Sequence, residues 1–191
     1  MKKLTIALFA LSILLMGGCK PSREKSVENI QILEKQLFSA ESTSFDKEKA
    51  DSLLNLYTVF IDKFPGDSLI PDYLFKSANL AMNSGNGAKA IEYFDRYITS
   101  YPDREKAALC LFFKAFVYEN ILRNLDKAKE SYLLFVEKYP ENDFADDAQM
   151  ALQNLGKTPD QMIMEFEARK KADSTRLADS ITAAKKKKRG K

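Results

Sequence analysis

Side chains able to do covalent or acid–base chemistry are scarce in this 191-residue chain, which has two cysteines and no histidine. Cys19 ends the stretch LLMGGC (14–19), behind two glycines and an uncharged run. Cys110 lies in AALCLFFKAF, where an unpaired thiol packs as a small hydrophobe. Zinc would need histidines or a CxxC pair, and neither occurs. General base catalysis by histidine is absent too, as are a glycine-rich phosphate loop and a nucleophile elbow. Acids do pair, at Asp146-Asp147 and at Glu165 with Glu167. Each pair falls in a polar helical stretch, where an exposed face accounts for it, and adjacent helical positions point about 100° apart. The chain therefore reads as no enzyme, with no metal and no cofactor.

The elements around Cys19 say what its thiol is for. Lys2-Lys3 precede Leu4–Met16, which carries no charge. As a helix that run spans about 20 Å, short of the roughly 20 apolar residues of a membrane span. It fits the apolar region of an export signal, with Gly17 and Gly18 as the small residues at the break. Leu15-Met16-Gly17-Gly18-Cys19 resembles the lipobox of bacterial lipoproteins. The resemblance implies a diacylglycerol on the Cys19 thiol, cleavage before it and N-acylation. Each buried CH₂ would then add about 0.8 kcal/mol of anchoring. Lys20, Pro21, Ser22 and Arg23 follow, with neither a retention aspartate nor an acidic run. By resemblance this implies the periplasmic face of the outer membrane. Residues 1–18 are thus expected to be a signal peptide and 19–25 a tether.

Charge divides the rest. Cys19 to Phe166 holds 18 Lys/Arg against 24 Asp/Glu, a net of −6, whereas Glu167 to Lys191 holds 10 against 3, a net of +7. An acidic body with a basic tail gives no reason to expect nucleic acid.

Three phrases organise the body: LYTVFIDKFPGD (56–67), FDRYITSYPDRE (94–105) and YLLFVEKYPEND (132–143). In each, apolar residues lie three, four and seven places before a ring–proline pair, on one helical face. Proline then ends the helix, because it lacks an N–H and restricts the residue before it. Asn86 and Asn124 open two of these helices at equivalent places, with Ala90 and Ala128 four residues on. Apolar-rich stretches at 71–85, 104–124 and 144–156 lie between the phrases. The pattern predicts helices over 26–40, 47–64, 69–84, 87–101, 104–122, 125–139, 143–155 and from Pro159 to about Ala184.

A helix hairpin repeated every 37–38 residues is similar to the tetratricopeptide repeat (TPR) family, whose unit is about 34 residues. AKAIEYFDRYITSYP (88–102) and DKAKESYLLFVEKYP (126–140) resemble the form found in periplasmic TPR lipoproteins. Those include a component of the outer-membrane β-barrel assembly machine and the TPR domain of a division coordinator linked to Tol–Pal. The resemblance implies an all-α fold, a TPR-like right-handed α-solenoid of antiparallel helix pairs over 26–157. A capping helix at 158–184 and a disordered basic tail at 185–191 would follow. It further implies an interaction scaffold with a protein partner in the bacterial envelope. That is either an adaptor in an outer-membrane β-barrel complex or a module for a soluble or extended-peptide partner. By resemblance the first helix of each pair lines the inner curve. Tyr73, Lys76, Asn79 and Asn83, with Lys114, Tyr118 and Asn120, are the expected contacts.

Overall fold

The computed structural model describes residues 22–39 and 45–189, and side chains as far as Ile181. The expected signal peptide and the lipid-bearing Cys19 lie outside the described residues. Eight helices are described: α1 (Arg23–Leu37), α2 (Lys47–Lys63), α3 (Ile70–Asn83), α4 (Gly87–Ser100), α5 (Lys106–Asn120), α6 (Leu125–Lys138), α7 (Ala145–Asn154) and α8 (Pro159–Arg189). No strand occurs among the described residues, so the architecture is all-α and built of helix pairs. It divides into two compact units, Met1–Tyr93 and Phe94–Lys191.

The ring–proline phrases make the same turn three times. The amides of Asp67, Arg104 and Asn142 donate back to the carbonyls of Phe64, Tyr101 and Tyr139, at 2.9, 3.2 and 3.1 Å. Three residues further on, the amides of Ile70, Ala107 and Ala145 donate to Asp67, Arg104 and Asn142 and start the next helix. Phe64 and Tyr139 adopt φ of −124° and −131°, the extended values that a following proline favours. Asp67 and Asn142 add a side-chain oxygen that accepts from the amide two residues on, at 2.9 and 3.1 Å. Asn86 and Asn124 cap α4 and α6, accepting from Lys89 and Lys127 at 3.2 and 3.1 Å.

The turn between α3 and α4 is closed by Gly85 at φ +74°. The Asn86 amide donates to Ala81 and the Gly85 amide to Met82, a pattern that needs this left-handed residue. Thirty-eight residues later the same place is taken by Arg123 at φ +53°.

In the first unit, α1 packs on α2 and α2 on α3. Ile30, Leu53, Tyr57, Phe60, Leu74 and Ala78 form its interior. Tyr73 meets Phe60 edge to face at 4.9 Å and Tyr57 at 5.1 Å, contacts worth about 1 kcal/mol each beyond area. In the second unit α5 packs on α6 and α6 on α7. Ala108, Leu111, Ala115, Ala128, Tyr132, Phe135 and Ala148 form one cluster there. Ala90 and Ala128 are fully buried, at the places where small residues were expected.

Both ends of the chain differ from the expected boundaries. α1 starts at Arg23 rather than 26, because Ser22 accepts from the Lys25 amide and caps it. Arg23 is then held by Asp67 of the α2–α3 turn, which shortens the tether. α8 runs past Ala184 to Arg189, through residues expected to be disordered. Alanine, lysine and arginine are all strong helix formers, and no breaker comes before Gly190. Every side chain from Thr158 to Ile181 is exposed; Met162, at 39%, is the most covered of the described large apolar residues of α8. Lys157 pairs with Glu165 at its start, and the Thr158 and Gln161 side chains each accept from the other's backbone amide, at 3.3 and 2.9 Å.

Candidate protein-binding groove

α1 and α3 of the first unit flank a groove of about 590 Å³. α3 supplies one wall. Pro71 in its first turn pre-sets the backbone angle, and Tyr73, Leu74, Ala78 and Ala81 turn inward. That leaves Lys76, Asn79 and Asn83 outward at spacings of three and four, one stripe on the helix. α1 supplies the other wall with Gln31, Glu34 and Lys35, and Phe38 just past its end. Tyr57 of α2 reaches the groove from between them, with Phe75 and Leu80 beside it.

Glu34 ties these elements together. Its Oε1 accepts from the Tyr57 hydroxyl at 2.6 Å and from Lys76 Nζ at 2.7 Å. Burial, and then this hydrogen bond to a carboxylate, raise the Tyr57 phenol far above its ordinary range. Burial and the nearby Glu34 charge push Tyr73 up to about 12. Neither tyrosine ionises near neutral pH, so one neutral phenol, Tyr57, borders the groove beside the Glu34–Lys76 pair and a second, Tyr73, lies beneath it. Asn79 spends one amide hydrogen on the Phe75 carbonyl, at 2.8 Å. Asn83 is exposed and makes no hydrogen bond among the described residues. The groove thus offers apolar faces from Phe75 and Phe38, amides from Asn79 and Asn83, and charges of both signs, over a floor that includes the buried Tyr57.

Lys76, Asn79 and Asn83 are brought together here, whereas Tyr73 lies beneath them. It is 4% exposed, and its ring packs between α2 and α3 with Lys76 Nζ 5.8 Å above it. Lys114, Tyr118 and Asn120 belong to the second unit. Lys114 pairs with Asp95 at 2.6 Å. The half-buried Tyr118 ring has Lys114 and Lys127 at 6.0 and 5.5 Å from its centre. Asn120 is exposed and bonds the Phe116 carbonyl of its own helix. By helical spacing it points well away from Lys114 and Tyr118.

The sequence reading missed the α1 wall. The phrase at 56–67 implies an outer helix that needs an inner partner, and α1 is that partner. The signal lies in that phrase, although its helix is irregular, with Leu53 where Ala90 and Ala128 stand.

Residues 72–104 and 110–142 match the tetratricopeptide repeat family. They form a tetratricopeptide-repeat domain. The first TPR match takes in nearly all of α3, with α4 and the Tyr101-Pro102 turn, and the second most of α5, with α6 and the Tyr139-Pro140 turn. The α1–α2 pair precedes the matched TPR residues, yet contributes half of the groove. No curated protein matches the chain. No group of three or more His, Cys, Asp or Glu gathers as a metal site among the described residues. TPR architecture of this kind is consistent with a non-catalytic scaffold. No described helix is long and apolar enough to cross a membrane.

Proposed function

We propose that the chain is a protein-binding module whose α1–α3 groove takes an extended segment of a soluble partner in the bacterial envelope. The groove carries this reading. Apolar rings and unspent amides side by side suit a peptide, which has side chains to bury and a backbone to hydrogen-bond. Lys76, Asn79 and Asn83 are the proposed contacts, and Tyr118 between its two lysines is a second one. Cys19 would hold the module to the periplasmic face of the outer membrane, a placement supported by LLMGGC and the residues after it. An adaptor role in barrel assembly or division would set the same groove against a subunit of that complex.

The groove is tested by placing a photo-crosslinker at Asn83, with Asn55 on α2 as control, in the native envelope. Mass spectrometry should find a protein adduct from Asn83 that Asn55 does not give. Identical adducts, or none, would remove the groove from the account. The anchor is tested apart, by feeding a labelled fatty acid to cells carrying wild type or Cys19→Ala. Label should appear in the first alone.

A further inference from the structure

We propose that α8 from Phe166 onward is an interfacial helix that lies on an anionic lipid surface. Phe166, Leu177 and Ile181 are 67%, 63% and 47% exposed. At about 100° per residue they fall in one narrow sector of the helix. Lys170 shares that sector, and its stem can lie along apolar surface while the ammonium reaches outward. Arg169, Lys171 and Arg176 stand beside the row, and Lys185–Arg189 continue the same helix. Of the acids, Asp173 stands at the edge of the row beside Arg169 and Lys170, and Asp179 lies on the far side of the helix. The first turns are different: Asp160, Glu165 and Glu167 are acidic, and Glu165 is spent on Lys157. The lipid-facing row therefore begins with Phe166, and the cations around it with Arg169.

A helix with an apolar row, many cations and low overall hydropathy lies in the headgroup layer rather than crossing it. A protein groove is the competing cover for the row, and the charge pattern decides against it. The exposed cations surround the row: Arg169 and Arg176 flank it on one side, Lys171 on the other, and Lys170 stands within it. A groove wall pairs with those that face it, whereas a charged plane acts on all of them within a screening length of about 10 Å. The acidic stretch of a second copy is the protein alternative with the right sign.

The test uses the full chain with Cys19→Ser, which leaves the buried Cys110 as the other thiol. An environment-sensitive fluorophore is attached at Leu177→Cys, or at Thr175→Cys on the opposite side of the helix. Vesicles of phosphatidylglycerol and phosphatidylethanolamine should shift the emission at 177 to the blue and shield it from a soluble quencher. The probe at 175 and vesicles of phosphatidylcholine should show neither effect. Changing Lys170, Lys171 and Arg176 together to glutamate should weaken partitioning at least about tenfold. No response at 177 on anionic vesicles, or an equal response on neutral ones, would overturn the proposal. A blue shift that grows with protein concentration without lipid would overturn it too, in favour of a second copy.

Discussion

The Cys110 thiol is fully buried, and burial pushes it up to about 12 from 9.0. The folded chain therefore holds this proton more tightly than the unfolded chain. Stability is complete below the unfolded value and is lost as pH rises from about 9 toward 12, by up to roughly 1.4 kcal/mol per pH unit. Tyr73, raised from 10.0 to about 12, adds to the loss above pH 10. Melting temperatures from pH 7 to 11 should fall from about pH 9 in wild type and about one unit later in Cys110→Ala. Superimposable profiles would rule out the thiol as the first group to titrate. Ser77 poses the opposite case, a buried hydroxyl oxygen with no partner among the described residues. Ala115 occupies the equivalent place thirty-eight residues on. Ser77→Ala removes an uncompensated polar atom and should raise stability by about 1 kcal/mol in urea titration. A lowered midpoint would mean the hydroxyl is satisfied. The burial of the Cys110 thiol was legible in its apolar surroundings; the unpartnered Ser77 was not, because a serine on an apolar helix ordinarily bonds its own backbone.

Between helices, the joints repeat but the braces do not. The Tyr132 hydroxyl on α6 donates to Glu119 of α5 at 2.9 Å, as Tyr57 on α2 donates to Glu34 of α1. Phe94 stands at the equivalent place in the middle phrase and has no hydroxyl to give. Tyr132→Phe should cost about 1.5 kcal/mol, since the acceptor is charged. Ala128→Leu should cost about 1–3 kcal/mol by overpacking a site with no spare volume. Urea midpoints unchanged in both would argue against the α5–α6 register. Helix positions could be read from the sequence because the 3–4–7 spacing and the ring–proline stops are local signals. Boundaries moved by one to three residues among α1 to α7, as where Ser22 caps α1, and by five at the end of α8. The Tyr–Glu braces could not be read, since they depend on which helix faces which.

At the scale of the molecule, an acidic repeat body carries a basic helix that shares little with it. The stretch from Glu167 to Lys191 has a net charge of +7 against −6 for Cys19 to Phe166. Every side chain from Thr158 to Ile181 is exposed, so packing contributes little to holding α8 helical. A helix without a tertiary face opens with little cost in free energy. Limited trypsin should therefore cut first between Arg169 and Arg189, leaving a resistant fragment that spans α1 to α7. First cuts inside α2 or α6 would contradict that ranking. Anionic vesicles should slow the cleavage if α8 lies on them.

The tie between Arg23 and Asp67 joins residues 44 apart, and the other long links of the first unit are shorter still. Lys76 to Glu34 spans 42 residues, Thr58 to Tyr93 spans 35 and Tyr57 to Glu34 spans 23. Each waits on no residue beyond Tyr93. A chain delivered amino end first, by a ribosome or through a translocation pore, can thus complete these contacts while its last hundred or so residues are still in transit. Assembly becomes vectorial: the groove is finished early, and the basic helix is the last part to arrive.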